Sequence, residues 1–293
     1  MKNQPLIEVF GFPPDNFSDK ATRYRAQRLC PYNNHVANCT KDKANNPLGV
    51  CTIRDNGGLA ITCPVRFRED WIIASDAARF FFPDGTAWTS MAEVQLNDRF
   101  GQSAGKIDLV LVSYDKVTGR LIDFGSMEVQ GVYITGNVRK PFEYYMENPT
   151  ERQAMTWAGQ LRADYLSSSR KRLAPQLIFK GGILSTWGKK MAVALHSGFF
   201  ATLPTLPEVE AAQADMAWLI YDMVHDAAQN QYHLTPARTV YTKFRPSLET
   251  ITTPVPGPVD DFVGVLQDRL DSWLEDQNPP DAPPLDLSEV VGN

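Results

Sequence analysis

Runs of apolar residues predict a pair of β-strands in the middle of the chain. The run 107–114, Ile-Asp-Leu-Val-Leu-Val-Ser-Tyr, is rich in β-branched and apolar residues, which is typical of a strand. Residues 115–120 have the composition of a hairpin turn, with Asp115 at the start and Gly119 near the end. Apolar residues resume over 121–134, which we interpret as one or two further strands paired with the first.

Periodic apolar positions also predict helices. The segment 150–153, Thr-Glu-Arg-Gln, has the form of a capping box and predicts a helix that continues to about Leu166. Its apolar face would consist of Ala154, Trp157, Leu161 and Tyr165. Shorter signals predict further elements: strands over 176–179, 191–200 and 238–244, and helices over about 208–227 and 261–275.

Composition divides the 293 residues into three regions. Residues 1–70 are rich in loop-forming residues and contain all four cysteines, whereas residues 71–276 contain most of the predicted strands and helices. Residues 277–293 hold four prolines and several acids with few core-forming residues, so this tail is predicted to be disordered. The mixture of strands and helices indicates an α/β (α+β) fold, and the chain is long enough to bury a sizeable core.

Charge is distributed unevenly along the chain. The formal net charge of −5 disfavours a general nucleic-acid binder. Residues 201–293 contain four Lys and Arg against fifteen Asp and Glu, whereas residues 1–200 contain 25 and 19. A negatively charged partner would therefore meet the first two-thirds of the chain, although such a difference also arises by chance. No run of about 18 apolar residues and no signal-peptide pattern is present, so we expect a cytoplasmic protein.

The four cysteines lie close together in the sequence. Cys30, Cys39, Cys51 and Cys63 are separated by 8, 11 and 11 residues, and the segment between them is polar. Such a segment has little apolar surface with which to fold, and a bound metal can stabilise it because ligation free energy becomes folding free energy. A four-thiolate site suits zinc or iron. Two alternatives remain open, namely a pair of disulfides and four unrelated buried thiols, and His35 is a further candidate ligand.

An acid and an acid–amide pair lie on the predicted paired strands. Asp108 belongs to the first strand, and Glu128 and Gln130 point to the same side of a later one because side chains alternate along a strand. Two carboxylates and a polar group on one face can hold Mg²⁺, which prefers few carboxylates together with water and substrate phosphate oxygens. That arrangement suits phosphodiester hydrolysis.

The Glu-x-Gln pattern alone has little specificity. It occurs three times, over 93–95, 128–130 and 151–153, and the third copy belongs to the predicted helix cap. Only the second copy lies in a strand that follows a hairpin beginning with an acid. The alternative interpretation of Glu128 is a polar residue on a solvent-facing side of a strand.

Taken in order, the motifs of the first half of the chain resemble those of the NotI/EagI-type restriction endonucleases. The resemblance covers much of residues 6–140 and thins beyond about 180. It is strongest at Met127-Glu128-Val129-Gln130 and the segment that follows it. The remaining matching segments are Glu8-Val9-Phe10-Gly11, Cys30-Pro31-Tyr32, Cys39, Gly49-Val50-Cys51, Cys63-Pro64 with Arg66, Ile134-Thr135-Gly136-Asn137 and Arg139-Lys140.

The resemblance implies a fold, a reaction and a set of roles. The fold is a PD-(D/E)xK restriction-endonuclease-like core, a mixed β-sheet flanked by helices, with an N-terminal four-cysteine metal-binding knot that holds iron or zinc. The reaction is Mg²⁺-dependent, type II cleavage of double-stranded DNA at a palindromic, GC-rich site by a homodimer, within a system that includes a cognate methyltransferase. Asp108 and Glu128 become Mg²⁺ ligands, and Gln130, which stands where related nucleases have lysine, orients the attacking water.

Two further residues are candidates for the reaction. The family has an additional acid on a helix upstream of the aspartate, and Glu93 is the best match, with Asp98 and Glu69 as alternatives. Lys106 precedes Asp108 by two residues and would share its strand face, so it could supply the positive charge that Gln130 lacks.

Contacts to DNA and to a second subunit are expected from other parts of the chain. The DNA-binding candidates are the basic residues Arg139, Lys140, Arg170, Lys171, Arg172, Lys180, Lys189 and Lys190, each of which has solvated surface charge as its alternative. The dimer-interface candidates are Trp218, Leu219, Met223, Phe262, Val265, Leu270 and Trp273, for which core is the slightly favoured alternative.

Two other classes of function remain open. One is a non-catalytic DNA-binding module organised by the cysteine knot. The other is a redox- or metal-sensing protein that uses the same cysteines, in which case the Glu-x-Gln strand would be incidental.

Overall fold

A computed structural model describes residues 4–33, 36–43, 45–56, 58–159 and 161–276. The predicted disordered tail 277–293 and His35 lie outside the described residues. The chain divides into two compact units, the first ending at Thr252 and the second beginning at Thr253. In the part of the chain that the structure describes, every helix is too short or too polar to cross a membrane.

A six-stranded mixed sheet forms the centre of the first unit, with the strand order β13-β12-β11-β8-β7-β6. Strands β8, β11 and β12 are parallel to one another, and the remaining neighbours are antiparallel. The structure therefore confirms the mixed α+β class and the central mixed sheet flanked by helices. The strands are β6 (Trp88–Asn97), β7 (Ser103–Tyr114), β8 (Leu121–Gln130), β11 (Met191–His196), β12 (Met216–Asp226) and β13 (Gln231–Thr242).

Alternation of side chains gives this sheet two covered faces. Leu109 and Val129 face the amphipathic helix Ile72–Phe81, together with small residues of β11 such as Ala192 and Ala194. The opposite face carries Val193 and Leu195 of β11, which pack against residues 165–186. Because helices cover both faces, the central strands are apolar along almost their whole length. A polar side chain on either face is consequently buried.

The helical run 165–186, here named the composite helix, departs twice from α-helical geometry. Its segments are α-helical Tyr165–Ser168, π-helical Ser169–Leu173, α-helical Ala174–Gln176, π-helical Leu177–Gly181 and α-helical Gly182–Thr186. Pro175 lies inside the run, where it has no N–H to donate and its ring crowds the carbonyl of Lys171. Proline and π-turns are the usual causes of such irregular helices, and π-turns are frequent at functional sites.

The N-terminal region has its own small sheets. Strands β1 (Leu6–Val9), β4 (Val50–Asp55) and β5 (Gly58–Ile61) form an antiparallel three-stranded sheet, and β2 (Asp42–Lys43) pairs with β3 (Asn46–Pro47). The remaining elements are β9 (Tyr133–Thr135) paired with β10 (Arg162–Asp164), helices Asp19–Ala26, Arg139–Glu147, Pro149–Arg152, Ser197–Phe200 and Phe244–Thr252, and 3-10 helices Pro64–Trp71 and Ala211–Gln213.

Several of the predicted elements are confirmed. The hairpin over 107–130 is present as β7 and β8, and the predicted strand 238–244 coincides largely with the end of β13. The predicted helix 261–275 corresponds to the helix Val259–Asp276. In each of these segments the local pattern and the final structure agree because a single period dominates the segment.

Other predicted elements are wrong. In place of the helix predicted over 150–166 there is only the short helix Pro149–Arg152, which Asn148 caps at its N-terminus, and residues 162–164 form a strand paired with β9. The segment 176–179 is helical and belongs to the composite helix. The predicted helix 208–227 contains β12, whose apolar run is buried on both faces, and the predicted strand 191–200 ends at His196. Short apolar runs do not distinguish a buried strand from a buried helix.

The dimer-interface candidates fall into two groups. Trp218, Leu219 and Met223 lie in β12 and are buried in the core of the first unit. In the second unit, the helix Val259–Asp276 exposes its apolar side chains, including that of Phe262. Val265 and Leu270 are likewise exposed, whereas Trp273 is partly buried.

A buried arginine connects the N-terminal sheet to the central sheet. The guanidinium of Arg66 is fully buried, and its Nε lies 2.9 Å from Oε2 of Glu8 on β1, which is also fully buried. The same guanidinium donates to Glu69 at 2.7 Å and to the carbonyl oxygen of Tyr232 on β13 at 2.9 Å. It also lies over the ring of Tyr32, two residues after the first cysteine. Each buried charge therefore has a partner, as burial demands.

We expect Arg66→Met to destabilise the protein by about 3–5 kcal/mol, because it leaves the carboxylate of Glu8 buried without a counter-charge. The matched control is Arg79→Met, because the Arg79 side chain is largely solvent-exposed and its ion pair with Asp76 should contribute no more than about 1 kcal/mol. Urea denaturation monitored by tryptophan fluorescence measures both losses. Equal losses in the two variants would contradict this role for Arg66.

Candidate active site

The register of β7 and β8 brings the two predicted acids together. Leu109 pairs with Met127, so Asp108 and Glu128 occupy the next cross-strand positions on the opposite face of the sheet. The backbone ladder ends there, and Oδ2 of Asp108 accepts a hydrogen bond from the backbone N–H of Val129 at 2.8 Å. A side-chain carboxylate thus replaces the next backbone acceptor, which fixes Asp108 beside the strand that carries Glu128.

Glu128 is fully buried, and its two carboxylate oxygens have different surroundings. Oε2 accepts from Nζ of Lys180 at 2.6 Å and from Nε2 of Gln176 at 2.7 Å. Oε1 is buried and has no hydrogen-bond partner within the described part of the chain. One oxygen of this carboxylate is therefore satisfied by the protein, while the other remains an available acceptor.

Gln130 is arranged in a similar way. Its side chain is fully buried, and its Nε2 donates to Oε1 of Gln176 on the composite helix. Its own Oε1 is a second buried oxygen for which no partner is found among the described residues. Because Glu128 and Gln130 lie two positions apart on one strand, both unsatisfied oxygens belong to the same face.

Burial controls the ionisation of Glu128. Removal from water and, second to it, the nearby negative charge of Asp108 raise the pKa of its carboxyl group to about 8, although Lys180 opposes the rise. Arg172, one turn before Gln176 on the composite helix, also opposes the rise. Acids with raised pKa values that face a charged cluster are more frequent at functional sites than elsewhere.

These oxygens fit a hard divalent cation. Mg²⁺ prefers one or two carboxylates and completes its shell with water and substrate oxygens, and buried oxygens without partners are the atoms that such an ion would satisfy. Among the residues described, no group of three or more His, Cys, Asp and Glu side chains is placed to hold a metal. A site with two carboxylates and an amide lies below that count, so Asp108, Glu128 and Gln130 remain the residues that could hold Mg²⁺.

The four cysteines lie around the small N-terminal sheet. Cys51 belongs to β4, Cys63 follows β5, and the backbone N–H of Cys63 donates to the carbonyl oxygen of Cys51 at 3.2 Å. Burial raises the pKa of Cys30 to about 12, and Cys63 and Cys39 contribute to that rise. Within the described residues they are not grouped closely enough to count as a metal-ligand set. The four-thiolate site stays a prediction.

Among the further candidates, Glu93 differs from expectation, because it lies on a strand and not on a helix. Glu93 is an exposed residue of the edge strand β6, and its backbone has a left-handed φ of 56°. Its neighbours Ala92 and Val94 pair with Leu109 and Ile107, so Glu93 lies opposite Asp108. Asp98 accepts two backbone hydrogen bonds in the β6–β7 turn, and Glu69 pairs with Arg66. Lys106 is exposed and contributes its carbonyl oxygen, which accepts from Nζ of Lys180 at 2.7 Å.

The basic residues predicted to contact DNA separate into two groups. Lys140, Arg170 and Lys171 are exposed, and Arg172 is half-buried. The others have protein partners: Arg139 pairs with Asp42, Lys189 pairs with Asp123 at 2.6 Å, and Lys190 donates to the carbonyl oxygen of Phe80 at 2.7 Å. Lys180 does not fit the prediction of a DNA contact, because its side chain is buried against Glu128 and not at the surface.

Two residues of this site escaped prediction in their present role. Gln176 was not a candidate, and Lys180 was expected to contact DNA. Both lie on the composite helix, where the apolar residues 177–179 led to the prediction of a strand over 176–179. Their spacing of four residues is the only available signal, since it places both on one side of a helix.

Comparison with protein families gives one match. The family model described as Restriction endonuclease NotI matches residues 15–234. This span includes the four cysteines, Asp108, Glu128, Gln130 and the composite helix. A comparison with curated proteins gave no match.

In the metal-free protein we expect Glu128 to titrate with a pKa of about 8. Asp108→Asn should lower this pKa, because it removes the neighbouring negative charge that disfavours ionisation of Glu128. Carbon-13 chemical shifts of labelled glutamate carboxyl groups measure the titration, with Asp84→Asn, at an exposed turn, as the control. A Glu128 pKa that is unchanged by Asp108→Asn would show that the two acids do not interact.

Proposed function

Because the chain belongs to the NotI restriction endonuclease family, we propose that its DNA-cleaving site is the face formed by Asp108, Glu128 and Gln130. A restriction endonuclease is a hydrolase whose substrate is DNA. The observation that supports this location is the pair of buried, unsatisfied oxygens on Glu128 and Gln130, next to the carboxylate of Asp108. In a protein interior such oxygens call for a ligand.

The proposed activity is type II cleavage of double-stranded DNA with Mg²⁺. Asp108 and Glu128 would hold the ion, which when bound would supply Lewis-acid stabilisation of charge at the phosphate and lower the pKa of water. Glu128 offers Oε1 for this purpose, since Oε2 is already engaged by two donors. In this proposal the site is of the PD-(D/E)xK type, and Gln130 would stand at the position of the motif lysine.

The remaining chemistry assigns a role to each side chain. Oε1 of Gln130 accepts a hydrogen bond from the attacking water and orients it toward the scissile phosphorus. Attack in line with the leaving oxygen breaks the bond from phosphorus to O3′ and yields a 5′-phosphate and a 3′-hydroxyl. Gln130 is neutral, so it positions the water without stabilising the charge that develops on the phosphate.

Site recognition follows the same proposal. A homodimer would read a palindromic, GC-rich sequence, because a two-fold symmetric protein matches a two-fold symmetric site. The exposed residues Lys140, Arg170 and Lys171 are the best remaining candidates for contacts to phosphates or guanine edges. A cognate methyltransferase belongs to the proposed system without an implied contact.

We expect Asp108→Ala and Glu128→Ala each to slow Mg²⁺-dependent cleavage of DNA by about 10³-fold or more, because each removes a negatively charged ligand. Binding of the specific DNA should stay within about threefold of wild type, because phosphate and base contacts lie elsewhere. Digestion of DNA of known sequence, with end mapping and anisotropy measurements of binding, checks both values.

The control is Asp84→Ala, at an exposed position in a turn away from the site. It should cleave and bind like wild type. Robust cleavage by either active-site variant would refute the assignment, and a wild-type protein that binds DNA with Mg²⁺ but never cuts it would favour a non-catalytic DNA-binding module.

For the N-terminal region, we propose that Cys30, Cys39, Cys51 and Cys63 hold zinc or iron in a structural site. Cys39→Ser should then lose the metal and a large part of the stability together, because ligation and folding share one free energy. Elemental analysis and thermal denaturation measure the two losses, with the adjacent exposed Thr40→Ser as control. A metal-free, well-folded Cys39→Ser protein with full cleavage activity would exclude a structural role.

A further inference from the structure

Two residues of the composite helix reach the same carboxylate oxygen on the central sheet. Gln176 and Lys180 lie four residues apart, so they face the same side of the helix. Nε2 of Gln176 and Nζ of Lys180 both donate to Oε2 of Glu128, at 2.7 Å and 2.6 Å. We name this pair of residues the helix clamp.

The helix clamp engages one carboxylate oxygen of Glu128 and leaves the other oxygen available to a bound ion. With Oε2 held by two donors, rotation of the carboxylate is restricted, and Oε1, which has no partner among the described residues, keeps a single direction. Lys180 is itself fixed, because its Nζ also donates to the carbonyl oxygen of Lys106 on β7 and its side chain is almost fully buried. A cation on Oε1 and the ammonium on Oε2 can therefore occupy the carboxylate together.

Gln176 extends the clamp to the second motif residue. Its carbonyl oxygen accepts from Nε2 of Gln130 while its own Nε2 donates to Glu128. One amide thereby connects the acid and the glutamine of the Glu-x-Gln strand. It fixes the amide of Gln130 in the orientation that leaves Oε1 available, toward the same face as the available oxygen of Glu128.

Charge gives Lys180 a second contribution. Gln130 on strand β8 is neutral, and Lys106 is exposed on strand β7. Lys180 brings a buried positive charge to Glu128 from a helix, in a surrounding where charges interact more strongly than in water. The buried positive charge beside Glu128 thus comes from the composite helix and not from strands β7 and β8.

We infer that Gln176 and Lys180 are positioning residues of the active site, which orient Glu128 and Gln130 so that one oxygen of each faces the reacting groups. This inference rests on the proposed nuclease function, and it adds two residues from outside the Glu-x-Gln strand to the machinery. Neither residue needs to touch DNA in order to act in this way.

The test uses single-turnover cleavage of the specific DNA by the full-length protein. Lys180→Met and Gln176→Leu should each slow cleavage by about 10²-fold, because misplacing a reacting group by an ångström has an effect of that size. Their affinity for the same DNA should remain within about threefold of wild type. Lys180→Arg should recover part of the rate, and Lys116→Met, which removes a lysine from the exposed β7–β8 turn, should have no effect.

A second measurement does not depend on activity. Unfolding of wild type, Lys180→Met, Glu128→Gln and the double variant forms a thermodynamic cycle, in which the two changes should be coupled by about tenfold in the unfolding equilibrium constant. In the Glu128→Gln background no buried carboxylate is left unpaired at position 128, so Lys180→Met should be tolerated there. Gln176→Leu leaves the ion pair intact and serves as the variant expected to fold normally.

The outcomes separate the inference from the function on which it rests. Additive effects in the cycle, or cleavage within about threefold of wild type in both clamp variants, overturn the clamp even if the wild type is an active nuclease. A loss of DNA affinity as large as the loss of rate also overturns it, because Lys180 would then be a DNA contact. A wild-type protein without cleavage activity overturns the nuclease proposal, whereas coupling in the cycle would still support the contact between helix and strand.

Discussion

The structure depends on how it accommodates one buried carboxylate. Glu128 lies between two strands of a sheet whose faces are both covered, in a place where an isolated charge would be strongly disfavoured. The protein compensates on one side only, since Lys180 and Gln176 satisfy Oε2 while Oε1 has no partner in the described chain. In the proposed function this unsatisfied oxygen is the atom through which Glu128 would bind a cation.

The surrounding fold explains why this compensation comes from a helix. Strands β7 and β8 are antiparallel and carry the acids, whereas β11 on the other side of β8 is parallel to it and is reached through a long connection. The composite helix forms the last part of that connection and covers the face on which the acids lie. Its π-helical turns and Pro175 make the helix irregular next to Glu128 and Gln130, and π-turns are frequent at functional sites.

The N-terminal region is connected to the site through backbone and charge. A β-carbon at Gly131, directly after the motif, would come within 3.1 Å of backbone atoms of Thr62 and Pro64, so the strand end lies against the segment that holds Cys63. The N–H of Val132 donates to the carbonyl oxygen of Ile61, and the buried Arg66 holds the same segment to β1 and β13. The position of the segment that contains Cys63 is therefore coupled to the end of strand β8, which carries Glu128 and Gln130.

The sequence by itself determined the strand hairpin, the shared face of Glu128 and Gln130, and the family. The hairpin and the shared face follow from local rules, namely turn composition and period-two alternation, and the family follows from the order of motifs along residues 6–140. The sequence also contains three copies of the Glu-x-Gln pattern. Only the tertiary structure buries the copy on β8, because β7 and β11 flank that strand, whereas the copy at 93–95 lies on the edge strand β6. Tertiary structure alone decided the partners of Glu128, which come from 48 and 52 residues further along the chain. No local period records such a contact, since it arises where a helix packs on a sheet, and the same long-range packing turned the apolar segments 176–179 and 216–223 into a helix and a strand against their predicted types.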